Sequence, residues 1–537
     1  LRKNSHLIIL LGLMFSVLTV CAPGQSKTGG STHAELVELF REFREFQKPE
    51  LKDGVPNYSA AAMQKQWNGL KDFQLRLADM DISDWPRSQQ VDFHIVKAEM
   101  NGLEFYHRIL KPWQRDPVFY LFSQAGAGPV AYGRPRLSRL PLPDVEREDL
   151  EQKLRAVPPL LDQARANLND ASGDLALIAI YFLKDEIALY ETLNNRLMEH
   201  HPELLPAVAD AKAAVSAYGD WLEKNKGSMT ALPGVGKEHY NWYLKNVQLV
   251  PFTWEELLPS LEREYEQAVA ALKIEENRNR NLPPLKLVSS QEEYQRLWSE
   301  TEKYLKRFVE ENEIFTIPDY IESYDPGEWW NSPGSGHAQD FFEQCRDRDM
   351  LAEVCHNYLG HNLDGLRHSR DDRPIRGENR LYAIDMIRSE GVAYGFEELL
   401  RLAGMYADRP RGPEIHFAMK AFRVVRGLAD LKLHSHDFTL EEAIQFCYDY
   451  TPHQWMLKDG FEAWYEMQTS LRFPGWHMGF NLGKMQLFNL IEDGARVRRD
   501  DFVLGDYIDE FFAAGMIPFS LTRWEMLGLT DEIEKLR

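Results

Sequence analysis

The chain has 537 residues, 44% of them hydrophobic, 27% charged and 12% aromatic. That mixture excludes a disordered tail, a collagen and a disulfide-knotted miniprotein, and at about 100–200 residues per domain the length allows several units or one large two-lobed body. Acidic residues outnumber basic ones by 83 to 62, a net charge of −21 with no long basic stripe, so a phosphate backbone is repelled and nucleic acid is not the expected partner.

Arg2 and Lys3 precede a mainly apolar run over 7–20, too short to span a bilayer and suited to the core of a signal peptide. Residues 1–24 therefore read as an export signal, 25–32 as a flexible leader and 33–537 as a helical domain. Two endings of the signal stand side by side. Leu18-Thr19-Val20-Cys21 has the form of a lipoprotein box with Cys21 as the lipid-bearing residue, although Val20 is bulky where a small residue is usual; cleavage after Gly24 is the alternative. The mature protein is expected outside the cytoplasm, in the periplasm, on the cell envelope as a lipoprotein, or secreted, and to meet a membrane only through the signal or a lipid at Cys21. Cys345, Cys355 and Cys447 are an odd set without paired spacing, so no disulfide framework is indicated, and one bridge stays open.

Beyond the leader, apolar residues recur at helical spacing. Trp67, Leu70, Phe73, Leu77 and Met80 form one stripe, and Val91, Ile95, Ala98, Gly102 and Phe105 form the next. Further helices are predicted over 150–168, 175–197, 207–222, 254–272 and 292–312, with loops at 129–143 and 283–284 and one short strand at 285–288. The segment 324–337, rich in Pro, Gly and Trp, reads as a loop. Helices then resume over 338–367, 378–405, 414–432, 440–448, 460–471 and 483–493. The fold class is mainly α, with few or no strands. The Gly234-Val235-Gly236-Lys237 stretch lacks the first Gly and the Ser or Thr of a phosphate loop, and His434 and His436, two apart, point away from each other on a helix.

One stretch concentrates metal-binding chemistry: Glu353-Val354-Cys355-His356-Asn357-Tyr358-Leu359-Gly360-His361-Asn362-Leu363-Asp364. Its histidines are five apart, which on an α-helix rotates them about 140° past a full turn, so they share a face only where the helix is broken or bulged near Gly360. A second stretch, Glu390-Gly391-Val392-Ala393-Tyr394-Gly395-Phe396-Glu397, follows 29 residues after His361, enough for a loop and a returning helix that brings Glu390 to the same cleft.

These stretches resemble the bacterial family numbered 885 among the domains of unknown function, whose members look like helical zinc peptidases with HExxPGHH followed by EGWAxYxE. Gly360 and His361 fall on the Gly and the next His, and Glu390, Gly391 and Ala393 on EG and A. Arg423, Arg426, Asp430 and His434 match RxxRxxxDxxxH, and Pro474, Gly475 and Gly483 match PGQALSYxxG. The resemblance spans most of the mature chain. It implies a large two-lobed helical zinc-peptidase-like fold with a central cleft, an upper region over about 33–320 and a motif-bearing region over about 321–537. It departs where chemistry is most demanding: Cys355 stands at the first His ligand, His356 at the general-base Glu, Asn362 at the second paired His, Trp476 at the Gln and Phe480 at the Tyr.

Two functions follow. The first is an exported, catalytically degenerate metallopeptidase relative that binds a peptide, protein partner or small molecule in its cleft. In that reading Cys355 is buried, His356 hydrogen-bonded, and Glu390 paired with Arg423 or Arg426. The second is a zinc-dependent hydrolase with an altered site: Cys355, His361 and Glu390 as metal ligands, His356 or Glu353 as base, and Arg423, Arg426 and His434 as further catalytic candidates.

Overall fold

The computed structural model describes residues 31–121, 139–323 and 340–536. The signal region, the 324–337 loop and most of the 129–143 loop lie outside the described residues. The fold is mainly α. Among the described residues one sheet is present, a two-residue hairpin of Leu51–Lys52 against Val55–Pro56. The predicted 285–288 strand is coil instead, held by Val288 N–H donating to Asp347 O at 3.0 Å. Among the described residues no helix is long and apolar enough to cross a membrane. Cys345, Cys355 and Cys447 are free and buried, so no bridge joins them.

Most helices sit where the periodicity puts them: Arg87–Phe105, Asp144–Asn167, Gly173–Leu197, Leu205–Asn225, Trp254–Arg278 and Gln291–Glu311. His33–Phe46 opens the fold behind Thr32, whose hydroxyl and Glu35 form a reciprocal capping box. Three boundaries in the second half differ. The helix predicted over 338–367 breaks into Phe341–Arg346 and a segment starting at Leu351, because the Asp349 side chain accepts the Leu351 N–H and turns the chain. The helix predicted from 378 begins only at Met386. Before it, Arg376 is drawn into the interior by Asp92 and Glu525, both at 2.8 Å, and such distant partners override local helix preference. The last difference is Trp476–Arg498, which starts seven residues earlier than predicted. Its cap comes from another helix: Asp430 accepts the N–H groups of Gly475 and His477 at 3.2 and 3.1 Å, and the Tyr240 hydroxyl at 3.1 Å.

Two hydrophobic cores lie inside. The larger runs from Leu36 through the N-terminal helices to Phe422, Leu431 and Leu482. The smaller gathers Trp298, Leu305, Leu359, Phe396, Leu490 and Phe511. Helices Met386–Leu402 and Trp476–Arg498 contribute to both, Ile387 and Leu482 to the larger and Val392 and Leu487 to the smaller. They cross where neither carries a side chain: a β-carbon on Gly391 would lie 2.3 Å from Gly483 Cα, and one on Gly483 would lie 2.0 Å from Ile387 O. Gly483→Ala is therefore expected to lower stability by more than about 2 kcal/mol in urea unfolding. Gly365→Ala, with open space around the new carbon, should change it by less than about 0.5 kcal/mol.

Candidate metal centre

The first stretch folds as one continuous helical rod of changing pitch, α over Leu351–Val354, π over Cys355–Asn362 and α again over Leu363–His368. In a π-helix the hydrogen bonds run between residues five apart, so residues at that spacing come to one face. His356 and His361 are placed in this way, their rings at right angles with Nε2 atoms 3.1 Å apart. On the opposite face Cys355, Tyr358, Leu359 and Leu363 enter the smaller core. The rod lies close on the returning helix because Gly360 meets Ala393, where a β-carbon would stand 2.4 Å from the alanine's own. A buried pair between Asp364 and Arg388 fastens the two helices one turn further on.

That contact brings Glu390 to the histidines. Its Oε2 lies 3.3 Å from His361 Nε2 and 3.6 Å from His356 Nε2. Despite this proximity Oε2 is buried without a hydrogen bond of acceptable geometry. Among the described residues no lysine or arginine pairs with Glu390. Arg423 is bound to Glu397, its two terminal nitrogens 2.8 and 2.7 Å from the two carboxylate oxygens, and Arg426 to Glu466 at 2.6 Å. Burial alone would raise the Glu390 pKa, but the two histidines outweigh it and hold the group far below the ordinary carboxylate range. For His361, burial disfavours charge and Glu390 more than reverses that, leaving its pKa above the ordinary value.

Both rings are oriented from behind. His356 Nδ1–H donates to Glu397 Oε1 at 2.9 Å, which turns the Nε2 lone pair toward Glu390. His361 Nδ1 stands 3.5 Å from the Ser389 hydroxyl. The His361 side chain is 34% exposed, against 12% for His356 and 13% for Glu390, so the cluster is reached from solvent on the His361 side.

The other candidates lie elsewhere. Cys355, expected as a ligand, is fully buried in the smaller core, and loss of solvent pushes its thiol pKa well above the ordinary value. Glu353, expected as a base, is bound to Arg346 at 3.0 Å. His434 is a core residue whose Nδ1 accepts from Val235 N–H and whose Nε2 donates to Ser470 O at 2.8 Å; burial pushes its pKa down to about 4. Arg423 and Arg426 reach the site only through Glu397 and Glu466. Asn362 holds the Glu322 carbonyl at 3.1 Å.

Sequence reasoning passed over a second group beside the cluster. The Phe480 ring lies between His356 and His477 and parallel to both. His477 Nε2 is 2.5 Å from Glu466 Oε2, and its Nδ1 is 2.7 Å from the Ser470 hydroxyl. Burial would raise Glu466, but Arg426 and His477 bring its pKa down to about 2. The available signal was Glu462 and Glu466, two carboxylates four apart on the apolar face of helix Phe461–Arg472.

No protein-family model matches the chain, and no curated protein matches it. Two solved structures share its fold. One, from Shewanella oneidensis and described as "a putative lipoprotein of unknown function", aligns with a TM-score of 0.70 at 14% identity over 93% of this chain and 100% of that one. The other, described as "the putative lipoprotein from Colwellia psychrerythraea", aligns with a TM-score of 0.69 at 16% identity over 92% of this chain and 98% of that one.

The Glu397–Arg423 pair has no water to fall back on, since both side chains are essentially inaccessible. Glu397→Leu is expected to destabilise the chelator-treated protein by about 3–5 kcal/mol, because it strands a buried guanidinium. Adding Arg423→Met should recover most of that loss, as read from urea midpoints of the four proteins in the cycle.

Proposed function

We propose that this chain is a zinc-binding protein whose metal ligands are His356 Nε2, His361 Nε2 and Glu390 Oε2. The single observation that carries the reading is the convergence of these three atoms, all within 4.8 Å of one another, on a carboxylate oxygen that is buried and not hydrogen-bonded. Bonds of about 2.0–2.1 Å in a tetrahedron place neighbouring ligand atoms about 3.3 Å apart, and the separations here are 3.1, 3.3 and 3.6 Å. The donor set also suits the ion: two neutral imidazoles, each with its other nitrogen engaged from behind, and one carboxylate. Zinc would supply a Lewis acid with a coordination position left over for an outside ligand.

In this reading the protein's own groups divide the work. Glu397 fixes the His356 tautomer, Arg423 holds Glu397 in place through both carboxylate oxygens, and the Gly360–Ala393 contact sets the separation of the two helices. The cleft binds a peptide or small molecule through a group that can enter the metal's remaining position. We read the chain as a distant, altered relative of the 885 family, exported and held at the cell envelope. That placement is supported by the signal-like start and by the lipoprotein descriptions of both fold neighbours.

A second reading, hydrolysis, is favoured by the Glu466–His477 pair, whose imidazole lies parallel to the same Phe480 ring as His356. Here the Ser470 hydroxyl passes its proton to His477 Nδ1 and is refilled by the proton of an attacking water, while Glu466 balances the resulting charge.

Metal analysis of the purified protein decides the first reading. About one zinc per chain is expected, falling by more than 100-fold in affinity for His356→Ala, His361→Ala and Glu390→Ala and by about tenfold for Glu397→Gln, on the scale of outer-shell losses. Cys355→Ala should keep its full complement. Zinc that follows Cys355, or that survives loss of His356, contradicts the assignment. For hydrolysis, a panel of blocked and free peptides should show turnover that Glu466→Gln lowers by about 10²–10⁴-fold with zinc retained.

A further inference from the structure

Beside Glu398, four helices line a cavity of about 320 Å³. That is near the lower end of the range of small-molecule sites, about 300–1,000 Å³. Trp254–Arg278 contributes Glu264, Met386–Leu402 contributes Glu398 and Arg401, Gly412–His434 contributes Lys420, and Trp476–Arg498 contributes Asn481 and Lys484.

The charges in this wall do not cancel. Lys420 and Lys484 converge on one oxygen, Glu264 Oε1, the Lys420 ammonium at 2.7 Å. Lys420 also meets Glu398 Oε1 at 2.7 Å, and Arg401 meets Glu398 Oε2 at 2.7 Å. Three cations thus face two carboxylates, and Lys484, which shares its only carboxylate with Lys420, is the least compensated. Removing an ammonium from water without a full counter-charge is unfavourable, and an incoming anion would relieve it.

Asn481 gives the second, independent sign. It is 5% exposed, and both its Nδ2 and its Oδ1 lack any hydrogen-bond partner. A buried amide with both ends open is rare in a folded protein, because each unmade bond leaves a desolvated polar atom uncompensated. One donor and one acceptor side by side are the complement of another amide.

We propose that this cavity is a binding site for a small carboxylate that carries an amide, the chemistry of an N-acylated amino acid or of the C-terminal residue of a peptide. The carboxylate takes the place beside Lys484 and Arg401, and the ligand amide pairs with Asn481. The site is separate from the zinc ligands and does not depend on them.

N-acetylglycine is the probe, titrated by calorimetry into the full chain, with N-acetylglycinamide (no carboxylate) and acetate (no amide) as partial ligands. Because a metal centre could also take a carboxylate, the titration is repeated in His361→Ala. Saturable one-site binding is expected in both proteins, at least about tenfold weaker for either partial ligand, and at least about tenfold weaker in Asn481→Leu and Lys484→Met. Lys484→Arg should restore it, which guards against a variant that merely folds poorly. The proposal is overturned if the wild type shows no saturable binding, if binding disappears with His361 and not with Asn481, or if the neutral amide binds as well as the acid.

Discussion

Gly391 and Gly483 touch backbone to backbone, and that approach sets the separation of the two helices that carry Glu390 and Phe480. Two helices whose surfaces carry ordinary side chains sit about 8–10 Å apart. Removing the β-carbons from both at the crossing brings Met386–Leu402 and Trp476–Arg498 closer, and Gly360 against Ala393 repeats the device for the motif rod. The returning helix is therefore gripped on two faces by small-residue contacts, and the polar side chains beside them, Glu390 and Glu397 on one helix and His356 and His361 on the other, are left within reach of one another. A packing constraint that involves no chemistry fixes where the chemistry can be.

Charge pairing then selects which carboxylate is free for a ligand. Glu390, Glu397 and Glu398 share one helix and all are largely buried, which is unfavourable for each unless it is compensated. Glu397 is matched by Arg423 and His356, and Glu398 by Lys420 and Arg401. Among the described residues, Glu390 is paired with the two imidazoles alone. The same helix thus carries a satisfied pair on one carboxylate, a crowded cation-rich cavity at the next, and a carboxylate whose only neighbours are good metal ligands. Glu390 is not captured by Arg423 or Arg426, each of which is bound to another carboxylate.

The helical class and most N-terminal helices were legible because their signal is local: one apolar stripe at helical spacing describes each of them. The Glu390–His361 neighbourhood was legible too, since two short motifs separated by a loop's worth of residues imply a helical return. What was not legible depended on distant partners. The start of the Trp476–Arg498 helix is fixed by Asp430, 45 residues before Gly475, and the loop before Met386 is fixed by Asp92, almost three hundred residues before Arg376. Arg423 and Arg426 could be named from a motif, but their partners could not, because nothing in the sequence pairs Arg423 with Glu397 in preference to Glu390. Glu466 and His477 carried no motif at all.

That His356 and not Cys355 stands beside His361 and Glu390 turns on helix pitch. In an α-helix the residues that share a face with His361 are Asn357 and Tyr358, four and three positions earlier, and neither is a good zinc ligand. His356 would then point away from Glu390. Widening the turn to the π form lets the residue five positions back take that place, and it sends Cys355 and Tyr358 into the smaller core. A change of pitch over eight residues thus brings His356, rather than Cys355, to the face that carries His361. The wide segment is held by what surrounds it: the apolar core behind Cys355 and Leu359, the Gly360–Ala393 contact in front, and Glu397 locking the ring that the new pitch delivers.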